Sequence, residues 1–147
     1  MKYPMQSLLR KVLVVDDDPS HLEIYGLLVK QAGYEPVPVL VRFMGAEFPS
    51  DANIGAVILD YRLNSLKTSA ELAMEVHNLY PAAPIILLSD AWNLPTDIAP
   101  YVADFVRRGE PASLLEKLCF HLSQGEDEFS GEPVTLVPCI YSGNQTS

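Results

Sequence analysis

Short runs of consecutive apolar residues recur along the chain, and polar residues, prolines or glycines separate them. Three runs are almost entirely aliphatic: Lys11–Val15 (KVLVV), Gly55–Leu59 (GAVIL) and Pro84–Leu88 (PIILL). A continuous aliphatic run of this length is typical of a β-strand buried on both faces, as in a parallel sheet. Two further strands are predicted at Glu35–Leu40 and Asp104–Arg107. The pattern therefore predicts five strands.

Helical spacing of apolar residues follows the first and the last of these strands. The first helix is predicted to begin at Asp18 and Pro19, because an aspartate accepts bonds from free N–H groups of the first turn and proline suits the first helical position. Gly33 is a natural left-handed stop for this helix. The last helix is predicted over Pro111–Gln124, with four apolar residues on one face.

The middle of the chain carries one clear helix and two weaker segments. Thr68 and Glu71 fit a capping box, which predicts a helix over Ser69–Tyr80. Val41–Phe48 is a weak helix candidate. Asp90–Ala103 contains two prolines, so any helix there is expected to be short.

The alternation of strands and helices predicts an α/β fold with a parallel sheet, right-handed crossovers and helices on both faces. The flavodoxin-like strand order 2-1-3-4-5 suits the sequence best. It places strand 2 at an edge, which agrees with Pro36 and Pro38, since proline cannot donate to a sheet ladder. In such sheets ligand sites lie beyond the carboxyl ends of the strands.

Acidic side chains stand at the ends of two strands that this order places side by side. Asp16 and Asp17 end strand 1, and Asp60 ends strand 3. Three carboxylates at one rim would repel one another, and one would take up a proton unless a cation neutralised them. A hard divalent cation with oxygen ligands resolves this, and Mg²⁺ is the usual choice. Asp18 is assigned to helix capping, and the other three predict a Mg²⁺ site.

Three segments together resemble the receiver domain of bacterial two-component response regulators: VLVVDDDPSHLEIYGLLVKQAGYE, AVILDYRL and PIILLSD. The resemblance covers about residues 10–124, and the first two segments are specific in combination. It implies a CheY-like fold in which an aspartate ending strand 3 accepts a phosphoryl group from a histidine kinase. It also implies Mg²⁺ held by the acidic pair, a Ser or Thr that ends strand 4 and bonds the phosphoryl group, and a Lys that ends strand 5 and pairs with it.

The resemblance assigns roles to individual residues. Asp60 matches the phosphoacceptor, and Asp16 and Asp17 match the acidic pair. The backbone carbonyl of Arg62 matches a metal ligand, and Ser89 matches the hydroxyl that bonds the phosphoryl group. The chemistry is coherent, because a carboxylate attacks phosphorus poorly unless the incoming phosphoryl oxygens are neutralised.

The last strand departs from the family pattern. Phe105 matches the aromatic residue of strand 5, but Lys-Pro is replaced by Arg108-Gly109, or by Arg107-Arg108 if the register slips by one. Arginine keeps the charge and presents a wider planar fork, so we predict that Arg108 reaches the acceptor carboxylate directly or through the phosphoryl group. Asp90 adds negative charge beside the site, and the interval that carries helix 4 in the family is shortened.

The resemblance and its departures support two hypotheses about function. The first is a stand-alone receiver that is phosphorylated by a histidine kinase or phosphotransfer protein and signals through contacts with a downstream protein, without being an enzyme. The second is an atypical pseudo-receiver, a protein-interaction module with no phosphorylation cycle. A small phosphotransferase or phosphatase is a weaker third hypothesis, because no second catalytic acid or substrate-binding insertion is visible.

Composition narrows the choice of partners. Among 147 residues, 19 acidic against 10 basic side chains give a net charge of −9, which disfavours direct contact with nucleic acid or anionic membranes. The start, MKYPMQSLLRK, has no apolar core of signal-peptide length, and no run approaches the about 18 apolar residues of a membrane span, so we expect a cytoplasmic protein. His21, His77 and His121 show no ligand spacing and are predicted to be surface or half-buried residues.

The chain divides into a short N-terminal extension (1–9), the receiver-like domain (10–124) and a C-terminal tail (125–147). The tail begins with an acidic segment that is expected to stay exposed, and continues with the apolar run Val134–Tyr141. Such a run is costly to leave in water. We expect it to pack on the domain or on a second copy of the chain, which would make a homodimer.

Overall fold

The computed structural model describes residues 10–50 and 53–130. These residues form five strands: β1 (Lys11–Asp16), β2 (Glu35–Leu40), β3 (Ile54–Asp60), β4 (Ile85–Ser89) and β5 (Asp104–Arg107). They also form three α-helices and one short 3₁₀ helix: α1 (Pro19–Gln31), α2 (Ser69–Leu79), α3 (Pro111–Ser130) and the 3₁₀ helix Ala99–Tyr101. Every strand lies within one residue of its predicted bounds.

The five strands form one parallel sheet in the order β2-β1-β3-β4-β5, which confirms the predicted topology. The proline-containing β2 lies at an edge, where a missing N–H donor is tolerated. In the register of the inner strands, Asp60 lies opposite Leu88 and Ser89 lies opposite Arg107. The last residues of β1, β3, β4 and β5 therefore meet at one rim of the sheet.

Successive residues of each strand point to opposite faces of the sheet, and each face is covered by helices. The side packed by α2 holds Leu13, Leu59, Leu72 and Val76 in its core. The side packed by α1 and α3 holds Val14, Ile58, Val29 and Leu118. The prediction of helices on both faces is confirmed, and the buried sheet gives the rim a rigid support.

The predicted helix caps are present. The Asp18 carboxylate accepts a hydrogen bond from Ser20 N at 2.9 Å, and Pro19 occupies the first helical position of α1. Thr68 Oγ1 accepts from Glu71 N at 3.1 Å, while Glu71 Oε1 accepts from Thr68 N at 2.9 Å. Both helices therefore begin immediately after the loops that carry the acidic residues, which fixes those loops on the rim.

One helix prediction was wrong, and another was wrong only in where the helix ends. Val41–Phe48 forms no helix, because the chain turns back at a bridge between Arg42 and Gly45, and Gly45 has a left-handed φ of 135°. The last helix continues past Gln124 to Ser130. A glycine within that extension lowers helix propensity without ending the helix unless it adopts the left-handed conformation.

The segment between β4 and β5 contains only the single 3₁₀ turn, as its prolines predict. Within residues 10–50 and 53–130, no helix has both the length and the apolar character that a membrane crossing requires. The N-terminal extension and the apolar run Val134–Tyr141 lie outside the described residues, so the expectation about the tail stays a prediction.

Candidate functional site

Two buried carboxylates lie side by side at the rim. Asp16 ends β1 and Asp60 ends β3, and their residues are only 1% and 2% exposed. Asp16 Oδ1 accepts a hydrogen bond from Asp18 N at 3.0 Å, whereas the buried Asp16 Oδ2 has no hydrogen-bond partner. Burying an anionic oxygen without a hydrogen-bond donor costs free energy, so binding of a cation or a proton at the rim would stabilise the folded protein.

Arg108 supplies positive charge at this point. Its Nη1 donates to Asp60 Oδ1 at 2.7 Å, and its backbone N–H donates to the carbonyl of Ser89 at 3.0 Å. The predicted contact between Arg108 and the Asp60 carboxylate is thus confirmed. Arg107 points away from Asp60 and stacks on Trp92, with its guanidinium carbon 3.7 Å from the ring centroid. The predicted register of β5 is therefore correct.

The two carboxyl groups have raised pKa values. Burial raises the pKa of Asp16 to about 6, and the neighbouring charge of Asp60 adds to this shift. Burial also raises the pKa of Asp60, although the Arg108 guanidinium opposes the change. Both groups are costly to ionise in the folded protein, and Asp16 most clearly so, because Arg108 makes its ion pair with Asp60.

Asp17 and Arg62 lie near the carboxylates but make other contacts. Asp17 Oδ2 accepts a hydrogen bond from Asn64 N at 2.9 Å, which ties the loop after β1 to the loop after β3. The backbone N–H of Arg62 donates to Asp60 Oδ1 at 3.3 Å, and its exposed guanidinium lies 3.3 Å from Asp90. Asp17, Asp60 and Arg62 all line one cavity of about 380 Å³.

Ser89 also lies at the rim. It is 4% exposed, and its Oγ accepts a hydrogen bond from Ala91 N at 3.1 Å, which leaves the hydroxyl hydrogen available as a donor. Phe105 of β5 is partly buried against the core on the α2 side. The structure therefore brings Asp16, Asp60, Ser89 and Arg108 to the same end of the sheet.

The sequence interpretation missed His21. The residue is half-buried, as predicted, but its ring faces the carboxylates, with Nδ1 3.3 Å from Asp16 Oδ2. Its Nδ1 also lies 3.3 Å from Arg108 Nη2. The only signal was its position in the first turn of α1, five residues after Asp16. We call Asp16, His21, Asp60 and Arg108 together the rim site.

The rim site has the ligand atoms that a divalent cation requires. One ligand atom each from Asp16, His21 and Asp60 lies within 4.8 Å of the others, and Asp16 Oδ2 lacks a hydrogen bond. Carboxylate oxygens are the ligands that Mg²⁺ prefers. The residues present therefore fit a bound divalent cation, with Arg108 already neutralising part of the negative charge.

Comparison with known proteins gives the same architecture. No family model matches the sequence. The chain is 28% identical over 88 residues to the transcriptional regulatory protein GlrR of Escherichia coli K12, and to QseF of Escherichia coli O157:H7. These matches cover 60% of this chain and 20% of each relative, so the chain spans about a fifth of their length.

Solved structures agree in fold. A CheY-like receiver domain protein from Methanospirillum hungatei JF-1 superposes with a TM-score of 0.64 at 22% identity, covering 82% of this chain and 98% of that chain. NtrX from Brucella abortus superposes with a TM-score of 0.64 at 19% identity, covering 82% of this chain and 28% of that chain. The chain has the receiver-domain fold, and the resemblance inferred from its sequence is confirmed at this level.

Proposed function

We propose that this chain is a response-regulator receiver in which Asp60 accepts a phosphoryl group from the phosphohistidine of a histidine kinase or phosphotransfer protein. The observation that carries the proposal is the position of Asp60. It is buried at the carboxyl end of β3, it lines an open cavity, and it lies 2.7 Å from a guanidinium. A nucleophilic carboxylate needs such a neighbour to offset the charge of the incoming phosphoryl group.

The transfer itself requires little of the protein beyond positioning and charge. An oxygen of the Asp60 carboxylate attacks phosphorus, the phosphorus–nitrogen bond of the donor breaks, and the departing imidazole takes a proton from solvent. The product is an acyl phosphate on Asp60. Arg108 pairs with the transferred group after releasing its contact with the carboxylate, and the Ser89 hydroxyl donates a hydrogen bond to it.

Asp16, Asp17, Asp60 and the carbonyl of Arg62 would hold Mg²⁺ in this function. The cation would supply positive charge beside the phosphoryl oxygens. The hydrogen bond from Asn64 to Asp17 holds the loop after β3 against the acidic pair. Phosphorylation or cation binding at the rim would therefore shift that loop, and with it the protein surface that a downstream partner contacts.

A phosphorylation-independent interaction module is the second candidate function. The observation that favours it is the same ion pair, because Arg108 already occupies one oxygen of Asp60. The exposed Asp90 adds a negative charge, with its carboxylate 3.9 Å from Arg108 Nε. In this case the Asp60–Arg108 pair would be a structural feature, and no covalent adduct would form.

Incubation with acetyl phosphate and Mg²⁺, followed by intact-protein mass spectrometry, separates the two functions. We expect one phosphoryl adduct on the wild-type protein and none on Asp60→Asn, which keeps the shape of the side chain and removes the nucleophile. Asp97→Asn is the matched control, since Asp97 is an exposed carboxylate bonded to the Tyr61 hydroxyl. Absence of an adduct on the wild type, or equal labelling of Asp60→Asn, contradicts the proposed function.

A further inference from the structure

The rim site contains a nitrogen ligand as well as oxygen ligands. His21 lies in the first turn of α1, and its Nδ1 is 3.3 Å from the unpartnered, buried Asp16 Oδ2. Ligand atoms of Asp16, His21 and Asp60 all lie within 4.8 Å of one another. A cation between them would therefore meet one imidazole and two carboxylates.

Two neighbours share the Nδ1 atom of the His21 ring. It lies 3.3 Å from Arg108 Nη2 and 3.4 Å from Asp16 Oδ1, so this nitrogen faces the interior of the rim site. The other ring nitrogen, Nε2, lies 3.6 Å from the Asp18 carboxylate. Metal-binding histidines are commonly oriented by a carboxylate at the second ring nitrogen in this way.

Arg108 neutralises only part of the charge. Its ion pair is made with Asp60, and Asp16 Oδ2 keeps no hydrogen-bond donor. The two carboxylates carry one negative charge more than the single guanidinium compensates when both are ionised. A divalent cation bound through His21 Nδ1 would satisfy Asp16 Oδ2 and replace the contact of Arg108 Nη2, while Arg108 Nη1 stays near Asp60.

We propose that His21 Nδ1, Asp16 and Asp60 form a site for a borderline transition-metal cation of the Zn²⁺ class, so that the rim binds Zn²⁺ more tightly than Mg²⁺. Mg²⁺ takes oxygen ligands and keeps its waters, whereas Zn²⁺ readily takes imidazole together with carboxylate. Three protein ligands leave an open coordination position, which a water or a phosphoryl oxygen can take. The site rests on the proposed function, because it uses the same pocket as the phosphoacceptor.

The test is a competition titration of the metal-free full chain against a chromophoric chelator, with Zn²⁺ and Mg²⁺ measured separately. We expect His21→Gln to weaken Zn²⁺ binding by at least about tenfold and to leave Mg²⁺ binding unchanged, because only the nitrogen ligand is lost. His121→Gln is the matched control, since His121 lies 3.1 Å from Asp104 at a distance from the rim. It should leave binding of both cations unchanged. Far-UV circular dichroism checks that both variants are folded.

The inference is overturned if His21→Gln keeps wild-type affinity for Zn²⁺, or if His121→Gln loses as much affinity, which would indicate adventitious binding to histidines. It is also overturned if the wild-type chain binds Zn²⁺ no more tightly than Mg²⁺. These results are independent of phosphoryl transfer, because no phosphoryl donor is present. Zn²⁺ binding that depends on His21, without an adduct on Asp60, would refute the proposed function and support the metal site. A phosphoryl adduct on Asp60, together with Zn²⁺ binding that does not depend on His21, would support the proposed function and refute the metal site.

Discussion

Replacing Asp16 with asparagine is expected to stabilise the protein at neutral pH when divalent cations are absent. Asp16 is 1% exposed, and its Oδ2 has no hydrogen-bond donor. The carbonyl oxygen of an asparagine can keep the bond from Asp18 N, and its amide N–H groups can occupy the position of Oδ2. There they can donate to the Asp60 carboxylate, so Asp16→Asn removes a buried charge and gains a donor.

The size of the effect follows from the pKa of Asp16. This pKa is raised from an ordinary 3.8 to about 6 in the folded protein, first by burial and then by the charge of Asp60. Because the folded state holds the proton more tightly than the unfolded chain, the free energy of unfolding decreases as pH rises from about 4 to about 6. The shift corresponds to a destabilisation of the folded state by about 3 kcal/mol when Asp16 is ionised. This destabilisation is absent below pH 4 and fully present above pH 6.

The assay is urea unfolding followed by far-UV circular dichroism between pH 4 and pH 8, in the presence of a chelator. We expect the advantage of Asp16→Asn over wild type to grow from near zero at pH 4 to at most about 3 kcal/mol at pH 7.5. The exposed rim carboxylate Asp90 provides the control, because its own side chain is solvent-exposed in both of its ion pairs and Asp90→Asn should change stability by less than about 1 kcal/mol. A variant that is less stable than wild type at pH 7.5, or a difference that does not vary with pH, would refute the reasoning.

Three further perturbations probe the support of the site, each measured by the same unfolding assay. Arg108→Met should destabilise the protein by about 3–5 kcal/mol at pH 7, and by less at acidic pH where the buried Asp60 carboxyl can protonate; equal losses at both pH values would contradict this. Thr68→Ala removes the capping box of α2 and should cost about 1 kcal/mol, while the exposed Thr96→Ala should cost nothing measurable. Gly55→Ala places a Cβ 2.9 Å from a leucine of α3 and should cost about 1–3 kcal/mol, whereas Gly26→Ala in α1 has room and should stabilise by about 0.5–1 kcal/mol.

The fold could be predicted from the sequence because its signals are local. Each inner strand is a continuous aliphatic run, and every strand prediction agrees with the structure to within one residue. The prolines of β2 mark the edge strand, and the Thr68–Glu71 capping box marks the start of α2. The failed helix at Val41–Phe48 carries no such signal, and the φ of 135° at Gly45 could not be inferred from composition.

The candidate site was predictable only where it follows from the ends of strands. Asp16, Asp60 and Ser89 end parallel strands, so the sheet order alone places them at one rim. His21 lies on a helix, and the direction of its ring depends on how α1 packs against the sheet. Helical position does not reveal that direction without tertiary contacts, so the nitrogen ligand of the rim was missed.

The arginine that follows β5 and the nearby His21 are physically connected. Arg108 contacts Asp60 through Nη1 and His21 through Nη2, at 2.7 Å and 3.3 Å. A lysine offers a single ammonium centre, whereas the planar guanidinium holds two donors at a fixed spacing. Arg108 therefore does more than supply a charge, because it couples the Asp60 carboxylate to the His21 imidazole. A ligand that displaces Arg108 from Asp60 would also free His21 Nδ1, so phosphoryl and cation binding at this rim should be interdependent.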